Sequence, residues 1–219
     1  MTYSLSMFEL IKSDTFEYWL RALRDKQALA RINARLRRVS DGNLGDAKTL
    51  RDGIAELRIN HGPGYRVYFM RRGPLVIVLL AGGDKRTQAA DIARAIEIAK
   101  EWKEKDMAEK FTHWDAADYL ETEEDMALYF QACVEDDPGD GSLIRAALGD
   151  IARARGMTQL AKDTGLAREG LYKALSAEGN PEFSTIMKVV KALGLKFQAG
   201  AAKPVKTRKR RQPADEVSA

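Results

Sequence analysis

The chain has 219 residues, 45% hydrophobic and 31% charged, enough for one large or two small domains with a buried core. No apolar run approaches the roughly 18 residues of a membrane span, and the N-terminus lacks the apolar core of a signal peptide, so no membrane partner and a cytoplasmic location are expected. One cysteine, Cys133, forms no internal disulfide, and with two histidines a protein-only zinc site is not expected, so neither metal nor cofactor is assigned. The net charge of +4 conceals an asymmetry. Residues 1–106 hold 20 Lys/Arg against 14 Asp/Glu, whereas residues 107–142 hold Lys110 as their only Lys or Arg against 11 carboxylates. A basic part followed by an acidic segment suggests two units that face each other.

In chain order, Met7 to Ile11 reads as a short strand, and Asp14 as the N-cap of a helix carrying Phe16, Trp19, Leu20 and Leu23 on one face. A second helix over Lys26 to Val39 has Leu29, Ile32, Leu36 and Val39 at helical spacing. Its other face, Arg31, Arg35, Arg37 and Arg38, reads as solvated. The periodicity then changes to two. Ile54 to Ile59, Tyr65 to Met70 and Leu75 to Ala81 are strands separated by the turns His61-Gly62-Pro63-Gly64 and Arg71 to Pro74. Thr87 to Lys105 closes this half as a helix. The order β-α-α-β-β-β-α with tight turns gives an α+β domain, two N-terminal helices on a mainly antiparallel sheet, over residues 1–106.

The run IAELRINHGPGYRVYFMRRGPLVIVLLAGGDKRTQAADIARA resembles the HigB-type killer proteins of bacterial addiction modules, within the RelE toxin superfamily. The resemblance covers nearly all of residues 5–105 and implies metal-free cleavage of messenger RNA on the ribosome. Such cleavage activates a 2′-hydroxyl, stabilises a phosphorane with extra negative charge and protonates a leaving oxygen. Arg58 and Arg66, on adjacent strands, and Lys85 and Arg86, after the third, are the residues expected to converge on one phosphate. Arg66 and Arg86 fall where the superfamily has functional arginines, and Arg58 matches a basic position on the preceding strand. Ala90 stands where the best-known relative has a functional tyrosine, and Glu56 replaces a basic residue. Arginine is a poor general base, so the proton acceptor stays unassigned. His61 is one candidate, although a histidine in a Gly-Pro turn is more often a surface loop residue.

Residues 107–142 form an acidic lead with a helix over Glu123 to Glu135, and residues 143–200 a further set of helices. Phe111 to Leu120 reads as an extended lead, Ser142 begins the helix Leu143 to Arg155, and Ser184 is placed as an N-cap before a last helix ending near Leu193. Within MTQLAKDTGLAREGLYKAL, Thr158 to Asp163 and Ala167 to Ser176 make a helix-turn-helix around Gly165. Leu171 and Leu175 face inward and leave Arg168, Glu169, Tyr172, Lys173 and Ser176 outward, the composition that reading base edges requires. The run LGDIARARGMTQLAKDTGLAREGLYKALSAEGNPEFSTIMKVVKALGL resembles HigA-like antidotes with a lambda-repressor-type helix-turn-helix. It implies a dimer that binds its own operator DNA and neutralises the killer. Transferred to this chain, Arg168, Glu169, Tyr172 and Lys173 read bases, and Thr158 and Gln159 contact phosphate or set register. Residues 201–219, with KTRKRR, read as a disordered basic tail.

The expected whole is a fused toxin–antitoxin protein that associates with itself as a homodimer and meets messenger RNA on the ribosome through its first half. The alternatives are an operator-binding repressor with an inactive RelE-like dimerisation domain, and a nucleic-acid-binding scaffold unrelated to addiction.

Overall fold

The computed structural model describes residues 7–102 and 110–198. The expected end of the helix at 103–105, the expected boundary between residues 106 and 107 and the basic tail 201–219 lie outside these residues.

Strand β1 (Glu9–Ser13) leads directly into helix α1 (Asp14–Arg21). Ser13, rather than the expected Asp14, is the N-cap. Its hydroxyl accepts from the Phe16 amide at 3.0 Å and donates to the Leu80 carbonyl at 2.7 Å, which ties the helix start to the sheet. Helix α2 (Lys26–Ser40) is capped by the Asp25 carboxylate on the Ala28 amide. Strands β2 (Ala47–Thr49), β3 (Ile54–Ile59), β4 (Tyr65–Arg72) and β5 (Val76–Gly83) precede helix α3 (Gln88–Glu101). The three-residue β2 is too short to show as an alternation and was not expected.

The sheet order is β2-β3-β4-β5-β1-β6, where β6 is Phe111–His113. The β1–β5 pair is parallel and the others are antiparallel. The sequence reads Phe111 as the start of an extended lead, with no partner strand assigned. Instead β6 extends the sheet, with Ile11 opposite His113 and Ser13 opposite Phe111. Its placement is fixed by the Trp114 amide on the Leu10 carbonyl and the Asp14 amide on the Lys110 carbonyl. The pleat sends alternate residues of β4 to opposite faces: Tyr68 and Met70 pack under α3, whereas Val67 and Phe69 join the core under α1 and α2.

After a short 3-10 turn (Ala116–Tyr119) the chain is helical: α4 (Glu123–Asp136), α5 (Ser142–Arg155), α6 (Met157–Thr164), α7 (Arg168–Leu175) and α8 (Phe183–Ala192). The chain is thus an α/β sheet region followed by a helical region. Thr122 and Asp125 form a reciprocal capping box at α4. Glu182, not Ser184, is the residue before α8, and Ser184 lies within the helix. Gly165 adopts φ +68° between α6 and α7, a left-handed conformation that glycine reaches without Cβ strain.

One apolar core crosses from the sheet region to the helices. It joins Ile32, Leu36 and Phe69 to Met126, Phe130, Cys133 and Ile151. The arginine face of α2 is therefore not solvated as expected. Arg35 is buried against the Leu44 carbonyl, and Arg37 lies under α5, because α4 and α5 cover that side of the helix.

Candidate nucleic-acid interface

The β3–β4 register places Arg58 and Arg66 directly opposite each other, and Arg66 opposite Gly83 on β5. Two guanidiniums at cross-strand separation repel unless an anion lies between them. Glu56, two residues before Arg58 and on the same face, supplies it. Its carboxylate is fully buried. Oε1 accepts from Arg58 Nε at 2.9 Å and lies 2.8 Å from Arg58 Nη2, while Oε2 lies 3.3 Å from Arg66 Nε. Gln88, in the first turn of α3, donates Nε2 to Oε2 at 3.0 Å. Arg66 Nη1 also donates to the Gly64 carbonyl at 2.9 Å.

The strand alternation puts Glu56 on one face with Arg58, but the resemblance marks Glu56 as a departure from a basic position and gives it no role. The signal that identifies its role is the i, i+2 spacing in Glu56-Leu57-Arg58, which puts carboxylate and guanidinium side by side on a strand. Tyr68 was also passed over. Its hydroxyl is buried and has no hydrogen-bond partner among the described residues, and burial pushes its pKa up.

Lys85 and Arg86 follow β5 on an exposed turn. A Cβ placed on Gly64 would lie 3.8 Å from Arg66 Nη1 and 3.9 Å from Lys85 Cβ, so Lys85 borders the same turn as Arg66. Arg86 instead folds onto Asp84, with Nη2 to Oδ2 at 2.8 Å, and these hydrogen bonds hold the Asp84 carboxyl below its ordinary range. His61 Nε2 is 3.2 Å from Asp25 Oδ2 at the start of α2.

On α6 and α7, Thr158, Gln159, Arg168, Glu169, Tyr172 and Lys173 are all exposed, while Leu160, Leu171 and Leu175 bury the opposite side of the helix pair. Arg168 lies over the Tyr172 ring, 5.5 Å from its centroid, and donates to its hydroxyl at 3.3 Å. Gln159 is tied to Asp163 at 2.8 Å.

The acidic segment meets the basic face of β1, α1 and α2. Lys12 donates to the Tyr119 hydroxyl at 3.0 Å and lies 3.7 Å from Asp118. Arg21 pairs with Glu121 at 3.2 Å, Lys26 with Glu124 at 2.7 Å and Asp125 at 3.1 Å, and Arg31 with Glu135 at 2.7 Å. Deepest is Asp150, fully buried on α5, which meets Arg37 at 3.2 Å and Arg153 at 2.9 Å and accepts from the Tyr129 hydroxyl at 2.6 Å. Burial pushes the Asp150 carboxyl up, and two guanidiniums and a hydroxyl act against that push. Burial acts to lower Arg37, but the Asp150 and Asp41 carboxylates outweigh it and hold the guanidinium charged. With three donors on one carboxylate, the ionised pair is the form this geometry supports.

Residues 110–201 match the family model described as "Probable addiction module antidote protein", and residues 18–104 match that described as "Phage derived protein Gp49-like". Two uncharacterized proteins of Haemophilus influenzae are similar to the chain. One is 53% identical over 92 residues, covering 42% of this chain and 93% of its own length. The other is 49% identical over 87 residues, covering 40% of this chain and 88% of its own length. No solved structure matches the chain significantly. The chain belongs to the addiction-module proteins and joins a Gp49-like domain to an antidote domain in one polypeptide.

Proposed function

We propose that this is a fused toxin–antitoxin protein of the HigB/HigA kind, in which a RelE-like N-terminal half cleaves messenger RNA on the ribosome without a metal. The observation that carries this reading is the Arg58–Arg66 pair, held at one point of the sheet by a buried carboxylate. Fixed guanidiniums stabilise the extra charge of the phosphorane formed when a 2′-hydroxyl attacks phosphorus. Lys85, beside the same turn, adds a third cation to that edge. Cleavage of translated messenger RNA by residues 1–106, abolished in Arg66→Ala, tests this; intact RNA with a folded fragment contradicts it.

The C-terminal half neutralises the toxin through the α1–α2 face and binds its operator through a helix-turn-helix formed by α6 and α7. Support for DNA reading is the exposed row Arg168, Glu169, Tyr172 and Lys173 on a helix whose other side is buried. Thr158 and Gln159 would set its register on phosphates. A single such unit reads one half-site, so the working form is a homodimer in the cytoplasm, with half-sites about 34 Å apart. A band-shift with upstream promoter DNA tests this half.

A second reading draws on the same geometry. Glu56 and Asp84 take hydrogen bonds from Arg58 and Arg86, and Glu56 neutralises Arg66 at 3.3 Å, as they would in an inactive domain kept for dimerisation beside a working repressor. Full operator repression with no growth arrest from residues 1–106 would favour it.

A further inference from the structure

We propose that Glu56 and Gln88 are positioning residues that turn Arg58 and Arg66 into a two-pronged clamp for a single phosphodiester group. The proposal rests on the RNA-cleaving reading of this site and adds the residues that set its geometry and charge.

Opposed residues on paired antiparallel strands have Cα atoms about 4.5–5.5 Å apart, so two free guanidiniums here would splay. The buried carboxylate prevents this by taking one face of each. Arg58 turns Nε and Nη2 toward Glu56; Arg66 keeps its buried Nε 3.3 Å from Glu56 Oε2, an ion pair without a hydrogen bond, and gives Nη1 to the Gly64 carbonyl. Among the described residues, Arg58 Nη1 and Arg66 Nη2 carry no hydrogen bond, which leaves one donor from each strand for a ligand. The Arg58 side chain is 37% exposed and that of Arg66 13%, so the clamp has an outer and an inner prong. Gln88 fixes the second carboxylate oxygen from α3, so the sheet and the helix define one orientation. Two guanidiniums and one carboxylate sum to a single positive charge, which matches the single negative charge of a phosphodiester. Glu56 is thus the residue that makes two like charges cooperate on one phosphate.

The test uses the full chain and a short single-stranded RNA carrying 2′-O-methyl groups throughout, which binds without being cleaved. The Nε–Hε resonance of Arg58, hydrogen-bonded to Glu56, is expected to exchange slowly in the free protein, and those of Arg58 and Arg66, assigned from single-residue variants, to shift when this RNA is added. In Glu56→Gln the slow exchange is lost and RNA affinity falls at least tenfold, while tryptophan fluorescence reports a retained fold. Gln88→Ala, at a half-exposed helix start, lowers affinity at least threefold and decides the matter if Glu56→Gln does not fold. Unchanged exchange and affinity in the folded variants overturn the proposal, as does RNA binding without shifts at Arg58 and Arg66, or no RNA binding. RNA held through these two arginines by the full chain, with no cleavage of messenger RNA by folded residues 1–106, supports the clamp and defeats the nuclease reading alone.

Discussion

Arg37 on α2 and Asp150 on α5, separated by 113 residues of chain, form a 3.2 Å ion pair with Asp150 fully buried. This contact joins the Gp49-like part to the antidote part where solvent does not compensate a lost partner. Asp150→Ala removes a buried carboxylate and leaves Arg37 still buried and stripped of one counterion, so it is expected to lower stability by about 3–5 kcal/mol. Glu135→Ala, at the half-exposed pair with Arg31, is expected to cost about 1 kcal/mol or less. Urea unfolding of the full chain checks both values. Equal effects would contradict the ranking by burial.

Acid is expected to weaken the same boundary. Glu17 is pushed up by burial, but the Tyr119 hydroxyl, Lys12 and Arg21 outweigh this and leave it lowered. Asp125 is likewise pushed up by burial and brought below its ordinary value by Thr122 and Lys26. For both, the unfolded chain takes up protons first as pH falls. Their contribution is therefore complete above the ordinary carboxylate range, near ~4, and is lost as pH drops through the folded values. Asp150 and Asp41 at this boundary, and Asp91 beside Thr87, are raised by burial and act in the opposite sense: their contribution is present at low pH and is lost as pH rises through their folded values. The urea midpoint is expected to fall between pH 5 and pH 3 at constant salt, and to fall less in Glu17→Gln.

Gly82 on β5 lies against the Trp19 ring: a Cβ there would sit 2.0 Å from a ring carbon. Gly82→Ala must displace the indole from its place between Phe16 and Tyr65. A loss of about 1–3 kcal/mol is expected, with a change in tryptophan emission. Unchanged stability would mean that the α1–sheet contact yields freely.

If α7 reads DNA, Tyr172→Ala lowers operator affinity roughly tenfold or more and relaxes sequence preference. Lys173→Ala, acting through charge, is expected to alter the salt dependence of binding. Titration of labelled promoter fragments at two salt concentrations separates these effects. Identical behaviour of both variants and wild type removes α7 from the interface.

The legible parts of this fold are those fixed by local chemistry. The glycine turn at Gly165, the apolar spacing of Leu171 and Leu175, and the alternation along β4 all appear at their expected places. The arginine face of α2 was misread because its partners, Asp150 and Glu135, are more than a hundred residues away, and periodicity carries no information about them. Strand β6 was missed as a strand because three residues are stable only through pairing with β1. At the candidate site, Arg58 and Arg66 were legible from alternation. Glu56 beside Arg58 follows from the same alternation, whereas its approach to Arg66 required the register, which the turn at Gly62 and Gly64 sets.

The central claim is that one chain holds a toxin and the antidote that silences it. The most direct measurement compares growth and messenger RNA integrity in cells expressing residues 1–106, residues 1–106 together with 107–219 as a separate chain, and the full protein. Arrest with cleaved messenger RNA in the first case, relieved in the other two, is the expected result. Normal growth with soluble residues 1–106, or equal arrest in all three, would contradict it.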